Sequence, residues 1–258
     1  MRFEPYALAG LKSFSSYLDS LSSPVDSFLE DHIRESQYQR ILVQDQEVGA
    51  FGVHQNTLLT HFHVVGPARR LGQQIFAEVL QQTSVNAAFV PTCDEFFLSH
   101  ALDEYSDLKK QAYFFIEGSV VIAPATIDLS YRIAGPDDLE AIQTLCGDFL
   151  TDYAQHIQNR HLHIGFLGDQ LIALGVIEHS HLWKAQASIG MFTHEAHRQK
   201  GIGAHTIRYM RRVCHAGGLR PIAGCWYYNH NSKRTLEAAG MITQTRLLRI
   251  EFEAQTLS

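Results

Sequence analysis

Two periodicities of apolar residues follow one another along this chain and predict alternating strands and helices. The clearest case lies in the second half, where the apolar run at residues 187–192 predicts a buried strand. A polar loop that contains two glycines comes next. It leads into a segment in which Ile207, Met210 and Val213 recur at three-residue spacing, which is typical of a helix. The pattern therefore predicts strand, loop and helix in direct succession.

The same periods predict further elements on both sides of this segment. In the first half, strands are predicted at residues 40–44, 48–53, 58–65, 87–90 and 112–117, with a turn at 45–47 and helices at 69–82 and 94–105. In the second half, strands are predicted at residues 131–133, 163–167, 171–178, 221–227 and 242–252, with a helix opened by 135–138 and another at 232–239. Ser23 and Pro24 are typical of an N-cap and a first helical residue, so a further helix is expected from there to about Ser36.

The two halves show the same order of elements, which suggests an internal duplication. The segment 48–53 (VGAFGV) also corresponds to the segment 171–176 (LIALGV). Any hairpin has a similar pattern, so this match alone does not distinguish a duplication from chance similarity. If the duplication holds, the joint lies in residues 118–129, where Pro124 interrupts an apolar run.

Composition sets the broad class. The chain has 258 residues, long enough for two domains of about 100–150 residues each. A net charge of −6 gives no basic surface of the kind that nucleic acid requires. The four cysteines lack the spacing of a zinc cluster and suggest reduced thiols. Because neither a signal-peptide core nor an apolar run of about 20 residues occurs, we expect a cytoplasmic protein that does not bind membranes.

The loop at residues 198–203 has the chemistry of a phosphate site. It comes directly before a helix, where backbone N–H groups lack intrahelical partners and the helix dipole is positive. Gly201 and Gly203 allow close approach of a ligand and φ values that a Cβ disfavours, while Arg198 and Lys200 add positive charge. These residues alone equally fit a plain helix start with a solvated basic rim.

The spacing of the arginine and the two glycines favours a phosphate site over a plain helix start. The motif Arg198-x-x-Gly201-x-Gly203, after a strand and before a helix, resembles the pyrophosphate loop of the GNAT superfamily of acyl-CoA-dependent N-acyltransferases. Asn229-x-x-Ser232, followed by Leu236, is similar to a second segment of that family. The resemblance implies an α/β (α+β) protein of tandem GNAT-like domains, each with a mixed, mostly antiparallel twisted sheet flanked by helices. We place the domains at residues 1–125 and 126–258.

The resemblance also implies the residues that hold the acetyl-CoA co-substrate. Its pantetheine arm would lie between two strands that diverge, at residues 190–193 and 221–227. One backbone N–H of the first strand would stabilise the oxyanion. The predicted cofactor-binding residues are Met191, Phe192, Thr193, Arg198, Gln199, Lys200, Gly201, Ile202, Gly203, Ala204, Asn229 and Ser232. Asn229 is equally an ordinary turn residue before a helix.

Acyl transfer also requires a base and an acid. Glu178 is the first candidate for the base, followed by His179 and His181, although all three also fit a solvated turn. The family commonly has a Tyr where this chain has Leu236, so the acid has to come from another residue. Tyr228 is the predicted replacement, with Tyr227 as the alternative.

The first half has an altered version of the phosphate loop. Its corresponding motif is Arg69-x-x-Gly72-x-Gln74, in which Gln74 replaces the second glycine and Pro67 removes a donor N–H just upstream. We therefore predict a degenerate GNAT-like domain here. The retained Arg69 and Gly72 leave a second cofactor site as the alternative.

The fifteen histidines raise the question of a metal. The motif His194-Glu195-Ala196-His197 is one residue short of H-E-x-x-H, and the pairs His161/His163 and His179/His181 lack an identifiable third ligand. No metal is predicted, and the G-x-S-x-G motif of serine hydrolases is absent.

Three functions remain open. The first is an N-acetyltransferase that acts on a primary amine of a small molecule or peptide, without nucleic-acid or membrane partners. The second is a non-catalytic acyl-CoA-binding or regulatory module. The third is an aminoacyl-tRNA-dependent transferase, which the acidic charge disfavours.

Overall fold

The computed structural model of the protein describes residues 1–10, 13–119 and 127–253. The chain divides into two compact units. The first contains Met1–Phe114 together with the chain from Thr245 onward, and the second contains Phe115–Gln244. The domain boundary predicted between residues 125 and 126, and the joint at Pro124, lie outside the described residues. The return of the C-terminal segment to the first unit has no signal in the apolar pattern.

The first unit is a sheet with helices packed against it. Its strands are β1 (Arg2–Tyr6), β2 (Gln37–Val43), β3 (Gln46–His54), β4 (Leu58–Val64) and β5 (Ala87–Pro91), and its helices are α1 (Ser13–Ser20), α2 (Ser27–Arg34), α3 (Gly72–Gln82) and α4 (Glu95–Asp103). Strand β6 (Tyr105–Glu117) crosses from the first unit into the second, and β12 (Met241–Phe252) crosses back. The strand order is β1-β2-β3-β4-β5-β12, in which β4 and β5 form a parallel pair and the other pairs are antiparallel.

The second unit repeats this order of elements. Its strands are β7 (Ser130–Ile133), β8 (Leu162–Leu167), β9 (Gln170–His179), β10 (Gln186–Thr193) and β11 (Arg220–Trp226), and its helices are α5 (Leu139–Cys146), α6 (Tyr153–Gln158), α7 (Ile202–Ala216) and α8 (His230–Ala238). The strand order is β7-β8-β9-β10-β11, and β10 and β11 are parallel. Each unit therefore has a mixed sheet flanked by helices, as predicted.

Each unit has its own hydrophobic core. In the first, Phe51, Phe62, Phe76 and Phe97 are fully buried, and the rings of Phe62 and Phe76 pack edge to face with centroids 4.9 Å apart. In the second, one core lies between the sheet and helices α5 and α6, and its members are Ala134, Ile142, Cys146, Tyr153, Ile157, Leu162, Ile164, Leu174 and Val176. No helix in the described segments is long and apolar enough to cross a membrane.

The two hexapeptides that suggested the duplication direct their matching residues to opposite faces of their sheets. A Cβ added to Gly52 would contact the ring of Tyr38, whose hydroxyl donates a hydrogen bond to the carbonyl of Ile33 in α2. A Cβ added to Gly175 would instead contact Met210 in α7, the counterpart of α3. A shift by one residue reverses the face of a strand. The halves thus repeat element by element, but these two segments do not correspond residue by residue.

Local signals misplaced several boundaries. The helix predicted from Ser23 begins instead at Ser27, because the Asp26 carboxylate accepts the Leu29 N–H at 3.2 Å and acts as the N-cap. The turn of the first hairpin lies at Gln44 and Asp45, both at positive φ (50° and 64°), one residue before the predicted turn. The periods also missed the short elements β1, α1 and α6.

Candidate active site

The candidate site of the second unit begins where β10 and β11 separate. The two strands pair in parallel at only three positions, from Gln186 with Arg220 to Ser188 with Ile222. Beyond Ser188, β10 continues to Thr193 alongside β9 on its other edge. Burial changes at the same point, since Ala187, Ser188 and Ile189 are buried whereas Met191 and Phe192 are partly exposed. The strands therefore leave an edge of β10 available to an extended ligand.

The loop after β10 places Gly201 at the N-terminus of α7. Gly201 has a φ of 81°, in the left-handed region that glycine adopts without a Cβ penalty. Gln199 also has a positive φ, 62°, although it carries a side chain. Such a conformation costs about 1–2 kcal/mol in an ordinary residue and is concentrated at functional sites.

Several backbone N–H groups of this loop have no acceptor in the described part of the protein. Within the described residues, the amides of Gln199, Lys200 and Gly201 have no hydrogen-bond partner, and those of Ile202 to Ala204 belong to the first turn of α7. Residues 198–201 are exposed. The neighbouring cations contact the loop itself, since Arg198 Nε donates to the Thr193 carbonyl at 3.3 Å and Lys200 Nζ to the Ala196 carbonyl at 2.9 Å. The arrangement is a set of free donors at a positive helix end, which suits a phosphate group.

Gly203 has a different role from Gly201. It lies inside α7, and an added Cβ would be 3.0 Å from Thr235 Cγ2, 3.3 Å from Met191 Sδ and 3.4 Å from Thr193 Oγ1. It therefore lets the first turn of α7 approach both α8 and β10, and the expectation of an unusual φ at Gly203 was wrong. The Thr193 hydroxyl oxygen is buried and has no hydrogen-bond partner among the described residues. A buried hydroxyl without a partner beside the loop is consistent with a missing ligand atom.

Asn229 and Ser232 form the N-terminal cap of α8. Asn229 Oδ1 accepts the Ser232 N–H at 3.0 Å, which is the ordinary capping role of such a residue. Asn229 is exposed, so its amide nitrogen is accessible from solvent. In the same helix Leu236 is buried, 3% exposed, and contributes no hydroxyl group.

Glu178 lies one strand away from the point of divergence. It pairs across the sheet with Ser188, the last residue of β10 that pairs with β11. Its side chain is one-third exposed, and Glu178 Oε1 is 3.9 Å from His156 Nδ1. His156 Nδ1 is in turn 3.3 Å from His161 Nδ1. Partial burial lowers the pKa of His161, an effect that Glu178 opposes. The sequence analysis did not identify His156 as a neighbour of Glu178, because it did not predict the short helix α6 that carries this residue.

The other predicted catalytic residues are on the surface. Tyr228 is 53% exposed, and its ring packs against those of Trp226 and Tyr227 with centroids 5.0 Å and 5.2 Å apart. His179 and His181 are also exposed. Phe149, which the sequence did not suggest, packs against Phe192 with centroids 5.5 Å apart. In the sequence Phe149 is only an apolar residue in a loop, and that is too weak a signal to assign it to the site.

The corresponding place in the first unit is filled by side chains. Strands β4 and β5 pair at only two positions, yet every residue of both strands is buried. A Cβ added to Gly72 would clash with the ring of His100, and the Arg69 guanidinium lies 4.6 Å from the centre of the Phe96 ring. Helix α4 thus covers the start of α3, whereas Ile127 is the one described residue with an atom within 4 Å of a Cβ added to Gly201.

The other histidines that the sequence analysis weighed as metal ligands do not form a group of three in the described residues. His163 faces α7, where its Nδ1 is 3.4 Å from the Tyr209 hydroxyl, so it does not share a face with His161. His194 Nδ1 accepts the Ala196 N–H at 3.3 Å in the loop before α7. In the described part of the chain, only His156, His161 and Glu178 place three potential metal ligands within 4.8 Å of one another.

Comparisons with known proteins agree with this architecture. Residues 10–118 match a family model described as an acetyltransferase (GNAT) domain. An acetyltransferase of the GNAT family from Colwellia psychrerythraea superposes with a TM-score of 0.88 at 19% identity, covering 98% of this chain and 100% of that one. A tandem GNAT protein from the clavulanic acid biosynthesis pathway gives 0.58 at 14% identity, with 98% of both chains covered. A GCN5-related N-acetyltransferase from Sphaerobacter thermophilus gives 0.64 at 12% identity, covering 98% and 96%. No curated protein matches the chain in sequence.

These comparisons confirm the resemblance to the GNAT superfamily and the tandem fold. At such low identities the structural matches establish the fold alone. The family model matches the first half, whereas the motifs that carried the resemblance lie in the second half.

Proposed function

We propose that this chain, which has the fold of tandem GNAT acetyltransferases, transfers an acetyl group from acetyl-CoA to a primary amine of a small molecule or peptide. The observation that carries the proposal is the separation of β10 and β11 beside an α7 N-terminus whose loop amides have no acceptor among the described residues. An extended acyl thioester with a pyrophosphate at its far end has the shape and charge that this arrangement accommodates.

In this proposal the co-substrate is held mainly by the backbone. The amides of residues 199–204 bind the pyrophosphate, with Arg198 and Lys200 at the rim. The free edge of β10 at Met191, Phe192 and Thr193 binds the pantetheine arm, and Asn229 and Ser232 contact it from α8. The first unit, whose corresponding strands are fully buried, has no such role.

The chemistry is direct attack within a ternary complex. The neutral amine nitrogen forms a bond to the thioester carbonyl carbon, and a backbone N–H of β10 stabilises the resulting oxyanion. Glu178 accepts the proton that the nitrogen loses. The carbon–sulfur bond then breaks, and Tyr228 donates its hydroxyl proton to the leaving thiolate.

The net charge and the free cysteines support a proposal about the acceptor and the cellular compartment. The net charge of −6 favours an amine acceptor over nucleic acid. Cys93, Cys146, Cys214 and Cys225 are all free, and three of them are buried. We therefore place the protein in the reducing cytoplasm, acting without nucleic-acid or membrane partners and without a metal in the transfer step.

One observation favours a second candidate, a non-catalytic acyl-CoA-binding module. The buried Leu236 stands where the family commonly has an acidic hydroxyl, and the replacement Tyr228 is half exposed. Such a module would bind acetyl-CoA through the same loop and release no CoA.

The deciding experiment measures free CoA released from acetyl-CoA across a panel of small amines and amino-terminal peptides, together with calorimetric binding of CoA. Transfer to at least one amine supports the enzyme. Binding without release on any amine selects the second candidate, and absence of binding removes both.

A further inference from the structure

We propose that His156, His161 and Glu178 form a binding site for one divalent transition-metal ion of the zinc class. The three residues lie on α6, on the turn after it, and on β9. Their potential ligand atoms lie within 4.8 Å of one another.

The backbone holds the two histidines side by side. Helix α6 ends at Gln158, Asn159 is its C-cap, and Arg160 follows at a φ of 59°. The Arg160 N–H donates to the Ile157 carbonyl, and the His161 N–H donates to the His156 carbonyl, both at 2.9 Å. This pair of bonds is the Schellman motif, in which the residues at the positions of His156 and His161 commonly make an apolar contact. Here both positions carry imidazoles, so a stable helix end brings two metal ligands together.

The third ligand is fixed to the same turn. The Ile177 N–H donates to the His161 carbonyl at 2.8 Å, and Glu178 follows Ile177 on β9. Glu178 Oε1 lies 3.9 Å from His156 Nδ1. The carboxylate therefore reaches the pair from a rigid strand, and no loop has to close to complete the set.

The separation of the two imidazole nitrogens fits a metal centre. His156 Nδ1 and His161 Nδ1 are 3.3 Å apart. Two nitrogens bound at about 2.0–2.1 Å to one tetrahedral ion would be about 3.3–3.4 Å apart. Two imidazoles and one carboxylate are a ligand set that zinc accepts, with a fourth position left for water.

The surroundings leave the group accessible to an ion. The His156 side chain is 18% exposed and that of Glu178 33% exposed. His161 is also only partly buried. An ion can thus enter from solvent while the protein shields most of its surface.

The site has a consequence for turnover that rests on the proposed function. A metal ion on Glu178 would occupy the carboxylate to which we assign the amine proton. Zinc is then expected to inhibit acetyl transfer reversibly, with activity restored by a chelator.

The test of binding uses the full chain and Zn²⁺ alone, measured by calorimetry, with Co²⁺ absorption to report coordination. Wild type is expected to bind one ion per chain and to give the intense visible bands of tetrahedral Co²⁺. His156→Gln and His161→Gln should each weaken binding by at least about tenfold. His230→Gln, the same change at an exposed histidine of α8, is the matched control and should bind as wild type. Circular dichroism checks that each variant is folded.

Equal zinc affinity in wild type and both ligand variants, or only the weak bands of octahedral Co²⁺, would overturn the proposal. These readouts do not depend on catalysis. If no amine is acetylated but zinc binds as described, the proposed function fails and the metal site stands. If transfer occurs and zinc does not bind, the reverse holds.

Discussion

At the scale of single residues, the backbone around Gly201 decides what the loop can bind. Gly201 is the N-cap of α7, and its φ of 81° sets the direction in which the loop enters the helix. Gln199 has a similar left-handed conformation, which its Cβ makes unfavourable. Two left-handed positions on either side of Lys200 are retained although one of them is strained, which is typical of a binding loop.

Gly201→Asp is expected to weaken CoA binding by at least about a hundredfold, because the new carboxylate would face the phosphates, and like charges in close contact cost several kcal/mol. Calorimetric titration with CoA measures the loss. The matched control is Gly168→Asp, since Gly168 also has a positive φ (59°), in a hairpin turn with no atom near its missing Cβ. Unchanged CoA affinity in the folded Gly201→Asp protein would show that the loop is not the phosphate site.

Glu178→Gln keeps the size of the side chain and removes its ability to accept a proton. The turnover number for the best amine should fall by about 10²–10⁴-fold, while CoA affinity should remain at the wild-type value. Steady-state kinetics and calorimetry separate the two effects. Glu140→Gln, an exposed residue of α5, is the control. A fall that the control shares, or no fall at all, assigns the proton to another group.

Asp94 should make the stability of the first unit depend on pH. Burial raises the pKa of this carboxyl to about 7, although the hydrogen bond from the Phe97 N–H opposes the shift. A raised native pKa means that the folded state holds the proton more tightly, so the free energy of unfolding falls as pH rises from about 4 to about 7. The buried His61 and His63, whose pKa values are lowered, contribute with the opposite sign.

Asp94→Asn retains an oxygen acceptor for the Phe97 N–H and removes the ionisation. The melting temperature of the variant relative to wild type should therefore rise between pH 4 and pH 7 and level off above. Thermal unfolding at a series of pH values measures the difference. Asp152→Asn, the same change at the exposed N-cap of α6, is the control for the substitution itself. A difference independent of pH would mean that Asp94 is already ionised in the folded protein at pH 4.

At the scale of elements, helix ends organise the candidate site. The start of α7 supplies amides without acceptors among the described residues, the start of α8 is capped by Asn229, and the end of α6 brings two histidines together. Each feature comes from groups that a helix leaves unpaired at its ends. The helix interiors fix the position of these ends by packing on the sheet.

Two substitutions at Asn229 separate its capping role from its proposed contact with CoA. Asn229→Ala removes the acceptor for the Ser232 N–H and should lower the free energy of unfolding by about 1 kcal/mol. Asn229→Asp keeps the cap but removes the amide donor, so it should retain stability and weaken CoA binding. Denaturant unfolding and calorimetry measure the two quantities. An Asp variant with wild-type CoA affinity would limit Asn229 to capping.

At the scale of the whole molecule, the first unit depends on the end of the chain. Residues Leu247–Glu251 of β12 pair with β5, and Leu247, Ile250 and Phe252 are buried. Burial of each such side chain contributes about 1.5–3 kcal/mol, so together they are comparable with the roughly 5–15 kcal/mol that stabilises a whole domain.

A chain that ends at Gln244 should therefore lose the fold of the first unit and keep that of the second. Hydrogen exchange would then show rapid exchange in β4 and β5 but continued protection in β9 and β10. A chain that ends at Glu253 keeps all of β12 and is the control. Protection of β4 and β5 in the shorter chain would contradict this dependence.

The sequence by itself determined most of the order of elements, the tandem architecture and the position of the candidate phosphate loop, but not the short elements β1, α1 and α6. Periodicity and the spacing of Arg198, Gly201 and Gly203 are local properties that survive without knowledge of the fold. The N-cap at Asp26 and the turn at Gln44 were misplaced because several neighbouring residues have the capping or turn chemistry, and packing selects among them.

Only the tertiary structure decided which distant residues meet. The group formed by His156, His161 and Glu178 depends on how α6 packs against β9, and no spacing in the sequence encodes that distance. The different faces of Gly52 and Gly175, and the return of β12 to the first unit, also depend on strand pairing. Pairing and packing join segments far apart in the chain, so their outcome is a property of the whole fold.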